Sequence, residues 1–221
     1  MEAIELWTIL ADVPMSGRDR FAHAVAYWIA FATVVTVVPA LLFWLLVHPF
    51  IGFWRKVGPA VTYVVVVALL LPVAVVLFLY REPILAVRFR INWPMVLASW
   101  ALVALAVYIG FRLRRQLPVS VMFGVPELRP GARCGRLLDQ GIYASIRHPR
   151  YVEVAVMLTA AALYCNYLAT WLVLALYVVS FYGVVLLEER ELRERFGKEY
   201  DEYCRRVPRF IPRLGRARDG G

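Results

Sequence analysis

Residues 151–187, YVEVAVMLTAAALYCNYLATWLVLALYVVSFYGVVLL, decide the fold of this chain. They hold two apolar runs, 151–164 and 168–187, and only residues 165–167 lie between them. So short a connection is typical of two neighbouring antiparallel helices. We therefore predict a helical hairpin in which the start of the first helix and the end of the second lie side by side.

Long apolar runs also fill the first half of the chain, at 21–47, 59–80 and 94–111. Of the 221 residues, 62% are hydrophobic, and the mean hydropathy of +0.64 is far above what a soluble core requires. Most of the runs approach or exceed the roughly 20 residues that a helix needs to cross a bilayer, and none alternates like a barrel strand. We predict an all-α integral membrane protein with about five transmembrane helices.

Basic residues are concentrated on one side of the predicted spans. The formal net charge is +9, and Lys and Arg gather beside the apolar runs, which favours contact with lipid head groups over nucleic acid. The segments 48–58, 112–150 and 188–221 would share one side of the membrane, and they hold 20 of the 25 basic residues. The positive-inside rule therefore places them in the cytoplasm and the N-terminus outside, and we expect a prokaryotic inner membrane.

The chain divides into four predicted regions. They are an N-terminal membrane bundle of three spans (1–111), a basic loop rich in Pro and Gly (112–150), the hairpin (151–187) and a C-terminal segment (188–221). Apolar residues recur at helical spacing in the last region: Leu192, Phe196, Tyr200, Tyr203 and Val207. An amphipathic helix with a possible break at Gly197 is predicted, either on the membrane surface or folded back over the bundle.

The first hairpin run is short for a span and begins next to charged residues. Its 14 residues fall roughly 9 Å short of the hydrocarbon thickness. One solution is that the bilayer becomes thinner or the helix tilts or shifts to match the shorter length. The other is that Arg147 and His148 lie below the head groups, in a polar, partly buried pocket. Glu153 lies inside the run, where an ionised side chain costs at least about 2.5 kcal/mol, so it is expected to face a partner or water.

Two further acids, Glu188 and Glu189, end the second hairpin run. Antiparallel pairing places them beside Arg147, His148 and Glu153. Two interpretations stay open at this point. The charges form either a mutual salt-bridge cluster that closes the hairpin, or a cleft for a polar, partly cationic ligand.

Two blocks of sequence resemble a known group of enzymes. LLDQGIYASIRHPRYVEV at 137–154 and EERELRERFGKEYDEYCRRVPRFIP at 188–212 are similar to the isoprenylcysteine carboxyl methyltransferases and the related phospholipid methyltransferases. The resemblance implies an integral membrane enzyme that uses S-adenosylmethionine. The cofactor would lie between the hairpin and the C-terminal segment, and a lipophilic acceptor would enter from the bilayer.

The resemblance also implies roles for individual residues. The expected cofactor-binding residues are Gly141, Tyr143, His148, Pro149, Tyr151, Glu188 and Glu189. Arg147 would orient the acceptor, and Tyr200 and Tyr203 would close a lid. Arg147, His148 and Glu153 are the candidate catalytic residues, because an amine acceptor requires a base such as Glu153 or His148. Methyl transfer of this kind involves no metal.

Glu153 departs from the pattern of the prenylcysteine enzymes, where glycine is usual. A carboxylate there would repel an anionic acceptor, so we expect Glu153 to help bind a neutral or basic head group on a lipid or other hydrophobic molecule. Two alternatives remain. One is an NADPH-dependent enzyme of the sterol-reductase type, whose usual pattern has asparagine near Pro149 or Arg150 and more spans. The other is a membrane scaffold without enzymatic activity.

Overall fold

The computed structural model describes residues 17–116 and 137–213, and these are almost entirely helical. The α-helices are α1 (Gly17–Val47), α2 (Ile51–Val57), α3 (Pro59–Leu79), α4 (Arg81–Ile84), α5 (Trp93–Arg114), α6 (Pro149–Cys165), α7 (Leu168–Phe196) and α8 (Lys198–Arg206). Single 3-10 turns occupy His48–Phe50 and Gly141–Ala144. The prediction of an all-α integral membrane protein is confirmed.

Four of the described helices are long and apolar enough to cross a membrane: α1, α3, α5 and α7. Helix α6 corresponds to the short fourth run and has 17 residues, or about 25 Å at 1.5 Å per residue. It begins at Pro149, whose missing N–H is no loss in the first turn of a helix. The orientation in the membrane stays a prediction.

Helix α6 is the centre of the bundle, because it contacts α1, α5 and α7. Its contact with α5 is the most extensive in the described part of the chain. Small residues allow this approach: Ala106 and Gly110 of α5 and Ala160 of α6 are buried, and the Ser99 hydroxyl donates to the Ala160 carbonyl at 2.9 Å. Close backbone approach at small residues is the usual way in which helices associate in lipid.

The turn between α6 and α7 is held by the segment that precedes α5. Asn166 adopts a left-handed backbone conformation with a φ of 52°, and its amide nitrogen donates to the Arg90 carbonyl at 2.9 Å. The backbone N–H of Phe89 donates to the Asn166 carbonyl, and that of Leu168 to the Val87 carbonyl. These bonds fix the hairpin and so align the start of α6 with the far part of α7.

Helix α7 continues well past its apolar part and ends at Phe196, where Gly197 breaks the helix with a φ of 55°. Helix α8 then folds back, and its Tyr200 and Tyr203 side chains pack with Leu137, with Val207 and with Leu192 and Phe196 at the end of α7. The amphipathic pattern and the break at Gly197 are confirmed. The segment after α8 bonds to the residues before α6, because the backbone N–H groups of Arg147 and His148 donate to the Pro208 and Arg209 carbonyls. The placement relative to the membrane surface stays a prediction.

We expect Ala160→Leu to destabilise the contact between α5 and α6, because a larger side chain cannot fit a site that is 1% exposed. Overpacking of this kind costs about 1–3 kcal/mol. Thermal unfolding of the detergent-solubilised protein would show a lower melting temperature. Ala175→Leu on the exposed face of α7 is the matched control and should change the melting temperature little. An equal loss in both variants would contradict the packing argument.

Candidate active site

Glu189 is the electrostatic centre of the charged end of the bundle, where α6 begins and the apolar part of α7 ends. Its side chain is completely buried. Oε1 accepts from Arg147 at 2.8 Å and from Arg209 Nε at 3.0 Å, and it lies 3.2 Å from His148 Nε2. Oε2 accepts from Arg209 Nη2 at 2.8 Å, with Arg193 at 3.6 Å. The bonds to Glu189 raise the pKa of Arg209 above its ordinary value.

Arg147 faces the C-terminal segment. Its Nη1 donates to the carbonyls of Cys204 and Val207 at 2.9 and 2.8 Å. The backbone N–H groups of Arg147 and His148 donate to the carbonyls of Pro208 and Arg209. The guanidinium is therefore already engaged in holding residues 204–209, and its expected role toward an acceptor stays a prediction.

Glu188 lies next to Glu189 in the chain but has different surroundings. Its Oε2 lies 3.7 Å from His148 Nδ1 and is buried without a hydrogen-bond partner among the described residues. Tyr143 is near enough to Glu188 for the carboxylate charge to act on its hydroxyl. Burial, and to a lesser extent this charge, raise the pKa of the Tyr143 hydroxyl to about 12. We call the group formed by Tyr143, His148 and Glu188 the charged recess. It offers a carboxylate oxygen that has no hydrogen-bond donor in the described chain.

Gly141 and Gln116 lie beside each other near this recess. Gly141 has a φ of +60°, and a side chain there would also overlap the Gln116 amide. Gln116 Oε1 is buried and accepts no hydrogen bond from the described residues. Gln116 was missed by sequence reasoning. The available signal was its position just after the third apolar run, at the start of a loop that returns to the site.

Aromatic rings cover His148. Tyr151 stacks on Phe181 with centroids 5.8 Å apart, and Phe181 meets Phe210 edge to face at 5.5 Å. The Phe210 ring lies 6.0 Å from that of His148. Pro149 is buried directly after His148. Neither Phe181 nor Phe210 was predicted, although Phe210 belongs to the C-terminal block that carried the resemblance.

Tyr200 and Tyr203 are neighbouring rings on the buried face of α8. Both are buried, and the Tyr203 hydroxyl donates to the Tyr143 carbonyl at 2.7 Å. Burial raises the pKa of both hydroxyls, so they stay protonated at neutral pH. Of the two tyrosines expected to close a lid, Tyr203 attaches α8 to the segment that carries Tyr143, and the buried Tyr200 hydroxyl has no hydrogen-bond partner among the described residues.

Glu153 lies apart from Glu189, in a groove of about 580 Å³ between α1 and α6. We call it the α1/α6 groove. One end is polar, with Arg150 and Glu153, and the remainder is mostly apolar, including Ile29, Val37, Met157, Leu158 and Ala161. The residues predicted from sequence therefore fall in two places. The charged recess and Glu189 lie at the start of α6, and Glu153 lies one turn further along α6, in the α1/α6 groove.

Comparison with known proteins matches the region that contains these features. The sequence profile of the phospholipid methyltransferase family matches residues 94–199. The nickel-cobalt-cadmium resistance protein NccN of Alcaligenes xylosoxydans xylosoxydans is 33% identical over 84 residues, which is 38% of this chain and 39% of NccN.

Two sterol reductases are also similar to part of the chain. The Delta(14)-sterol reductase TM7SF2 of Mus musculus is 32% identical over 91 residues, covering 39% of this chain and 21% of that protein. The Delta(14)-sterol reductase LBR of Gallus gallus is 29% identical over 131 residues, covering 53% and 20%. The chain thus spans between about a fifth and two fifths of the length of these curated relatives.

The profile match covers α5, α6, α7 and most of the residues around the charged recess. It bears out the resemblance noted in the two sequence blocks. Residues 94–199, just under half of the chain, are therefore similar to the phospholipid methyltransferase family, in the group of membrane methyltransferases that also includes the isoprenylcysteine carboxyl methyltransferases.

Proposed function

We propose that this chain transfers a methyl group from S-adenosylmethionine to a lipophilic acceptor at the cytoplasmic face of the membrane. One observation carries the proposal. Glu188 presents a buried carboxylate oxygen, beside His148, that accepts no hydrogen bond in the described chain. Leaving such an acceptor unsatisfied costs about 1–3 kcal/mol or more for a charged group, so a bound ligand is expected to satisfy it.

The side chains around the recess suit the chemistry of this methyl donor. S-adenosylmethionine carries a sulfonium, an ammonium, a carboxylate and ribose hydroxyls. Glu188 and Gln116 Oε1 are acceptors suited to the cationic groups and hydroxyls. The backbone N–H groups at the start of α6, after Pro149, suit the carboxylate, because the first amides of a helix lack intrahelical partners.

The two adjacent glutamates, Glu188 and Glu189, would have different roles. Glu189 is fully buried and surrounded by Arg147, His148 and Arg209, so its lone pairs are already used. We therefore assign Glu189 to holding the C-terminal segment in place and Glu188 to binding the cofactor. This revises the expectation that both acids contact the cofactor directly.

Catalysis would come from positioning and from the exclusion of water. When bound, S-adenosylmethionine would supply an electrophilic methyl group for an in-line displacement by the acceptor atom. Tyr151, Phe181 and Phe210 cover His148 and would keep water away from the reacting atoms. If the acceptor is an amine, the proton that it loses would pass to His148 or Glu153.

The α1/α6 groove would hold the acceptor. Its apolar walls suit a hydrocarbon chain, and its polar end lies on α6 one turn beyond the recess. The carboxylate of Glu153 would repel an anionic head group at that end. We therefore propose an acceptor with a neutral or basic head group.

The sterol-reductase relatives motivate a direct test of the cofactor. We expect S-adenosylmethionine at 100 times its Kd to stabilise the purified protein by about 2.7 kcal/mol, visible as a higher melting temperature. NADPH at the same concentration should give no such shift. Stabilisation by NADPH but not by S-adenosylmethionine would instead support an enzyme of the reductase type, and stabilisation by neither would contradict both.

The proposed role of Glu188 in binding S-adenosylmethionine gives a second test. Glu188→Gln should weaken S-adenosylmethionine binding about tenfold or more, because a charge-assisted hydrogen bond is worth about 1.5–3 kcal/mol. The melting temperature of the ligand-free protein should change little. Isothermal titration and thermal unfolding measure the two effects, and unchanged affinity would contradict the role of Glu188.

Glu189→Gln should behave differently, because it leaves Arg147 and Arg209 without their buried counter-charge. Breaking a buried pair in this way costs about 3–5 kcal/mol. We expect faster hydrogen exchange in α8 and residues 207–210, measured by mass spectrometry. Glu194→Gln, which removes an exposed pair with Arg190, is the control and should leave the exchange unchanged. Normal protection in Glu189→Gln would contradict the assignment.

A further inference from the structure

The Glu153 carboxylate lies directly against the backbone of α5 at Gly110. A methyl group built at Gly110 would overlap Glu153 Oε1 and would lie 3.1 Å from Arg114 Nη2, so the carboxylate has room there only because residue 110 carries no side chain. Gly110 is buried one turn before the end of a membrane helix, and glycine inside a helix costs roughly 1 kcal/mol relative to alanine. Ala106, one turn earlier, is also buried, which shows that α5 accepts a methyl group at a comparable position.

Glu153 has no protein partner in the described residues. None of them forms a hydrogen bond or an ion pair within 4.0 Å with its carboxylate, although Arg114 and Arg150 lie near enough to act on its charge. The Arg150 guanidinium lies over the Trp44 ring at 5.7 Å. An acid inside a membrane helix is expected to face a partner or water, and Glu153 is one of the residues that line the α1/α6 groove.

We propose that Gly110 is a positioning residue that determines the specificity of the α1/α6 groove. Its missing side chain keeps the Glu153 carboxylate at the polar end of the groove, where it selects an amphiphile with a positively charged head group over one with an anionic head group. The inference rests on the proposed function only in taking the groove as the acceptor site.

Gly110 differs in its surroundings from the other glycines in long membrane helices. Gly183 of α7 is exposed, and a methyl group there would meet no atom within 4 Å. Gly183→Ala is therefore a matched control for Gly110→Ala, because both replace a helical glycine with alanine. Only the substitution at Gly110 should displace the Glu153 carboxylate.

The experiment uses two photoreactive probes with the same 12-carbon chain, a diazirine near its end, and either an ammonium or a carboxylate head group. The full chain in lipid nanodiscs is labelled with each probe, and mass spectrometry quantifies labelling of peptides from α1 and α6. Labelling of α3, which is largely exposed to lipid, corrects for partitioning of each probe into the bilayer. The corrected ratio of ammonium to carboxylate labelling measures selectivity.

We expect a ratio of about ten or more for the natural sequence and for Gly183→Ala. Glu153→Gln and Gly110→Ala should bring the ratio close to one. Glu153→Asp combined with Gly110→Ala should restore a large part of the selectivity, because the shorter side chain leaves room for the new methyl group. This rescue would not occur if Gly110 served only to pack α5 against α6.

Every other outcome either supports or contradicts the proposal. A ratio near or below one in the natural sequence, or an unchanged ratio in Gly110→Ala, would overturn it. If Gly110→Ala fails to fold, recovery of folding in combination with Glu153→Asp supports the overlap, and lack of recovery contradicts it. Labelling needs no methyl donor, so a failure here is distinguishable from a failure of S-adenosylmethionine to bind, which would instead contradict the proposed function.

Discussion

The structure depends on one buried carboxylate, that of Glu189. Transferring an ion from water into a protein interior costs several kcal/mol, and it is tolerated when hydrogen bonds and opposite charges replace the lost water. Arg147 and Arg209 supply two guanidinium groups, and His148 contacts the same oxygen. Because these residues lie before α6, within α7 and after α8, one anion joins three separate parts of the chain.

The helical hairpin makes this arrangement predictable in outline. Three residues between two apolar runs require the helices to be neighbours, so Arg147 and His148 were expected near Glu188 and Glu189, and they are found there. The sequence left open whether these charges form a salt-bridge cluster or a ligand cleft. Consecutive residues of a helix point about 100° apart. Glu189 therefore faces the salt-bridge cluster, while Glu188 faces the recess.

Features that arise from tertiary packing were not predictable in the same way. Hydropathy marks where the apolar part of α7 ends, but the Glu, Arg and Leu residues that follow favour helix, so α7 continues to Phe196. Arg209 and Phe210 reach the site only because Gly197 turns the chain back over the bundle. Gly110 could not be selected from sequence, because its importance comes from the position of the Glu153 carboxylate on another helix.

The short helix α6 explains why a polar site and an apolar groove can adjoin. A full-length span would carry its first turn to the membrane surface, whereas a helix of about 25 Å that ends at the far surface would leave Pro149 and its neighbours below the near one. That depth requires protein to cover the charges at the helix start, and the segment after α8 provides the cover through its backbone bonds to Arg147 and His148. Glu153 lies one turn further along α6 and lines the α1/α6 groove. A polar ligand and an apolar one could therefore approach the same helix from water and from lipid.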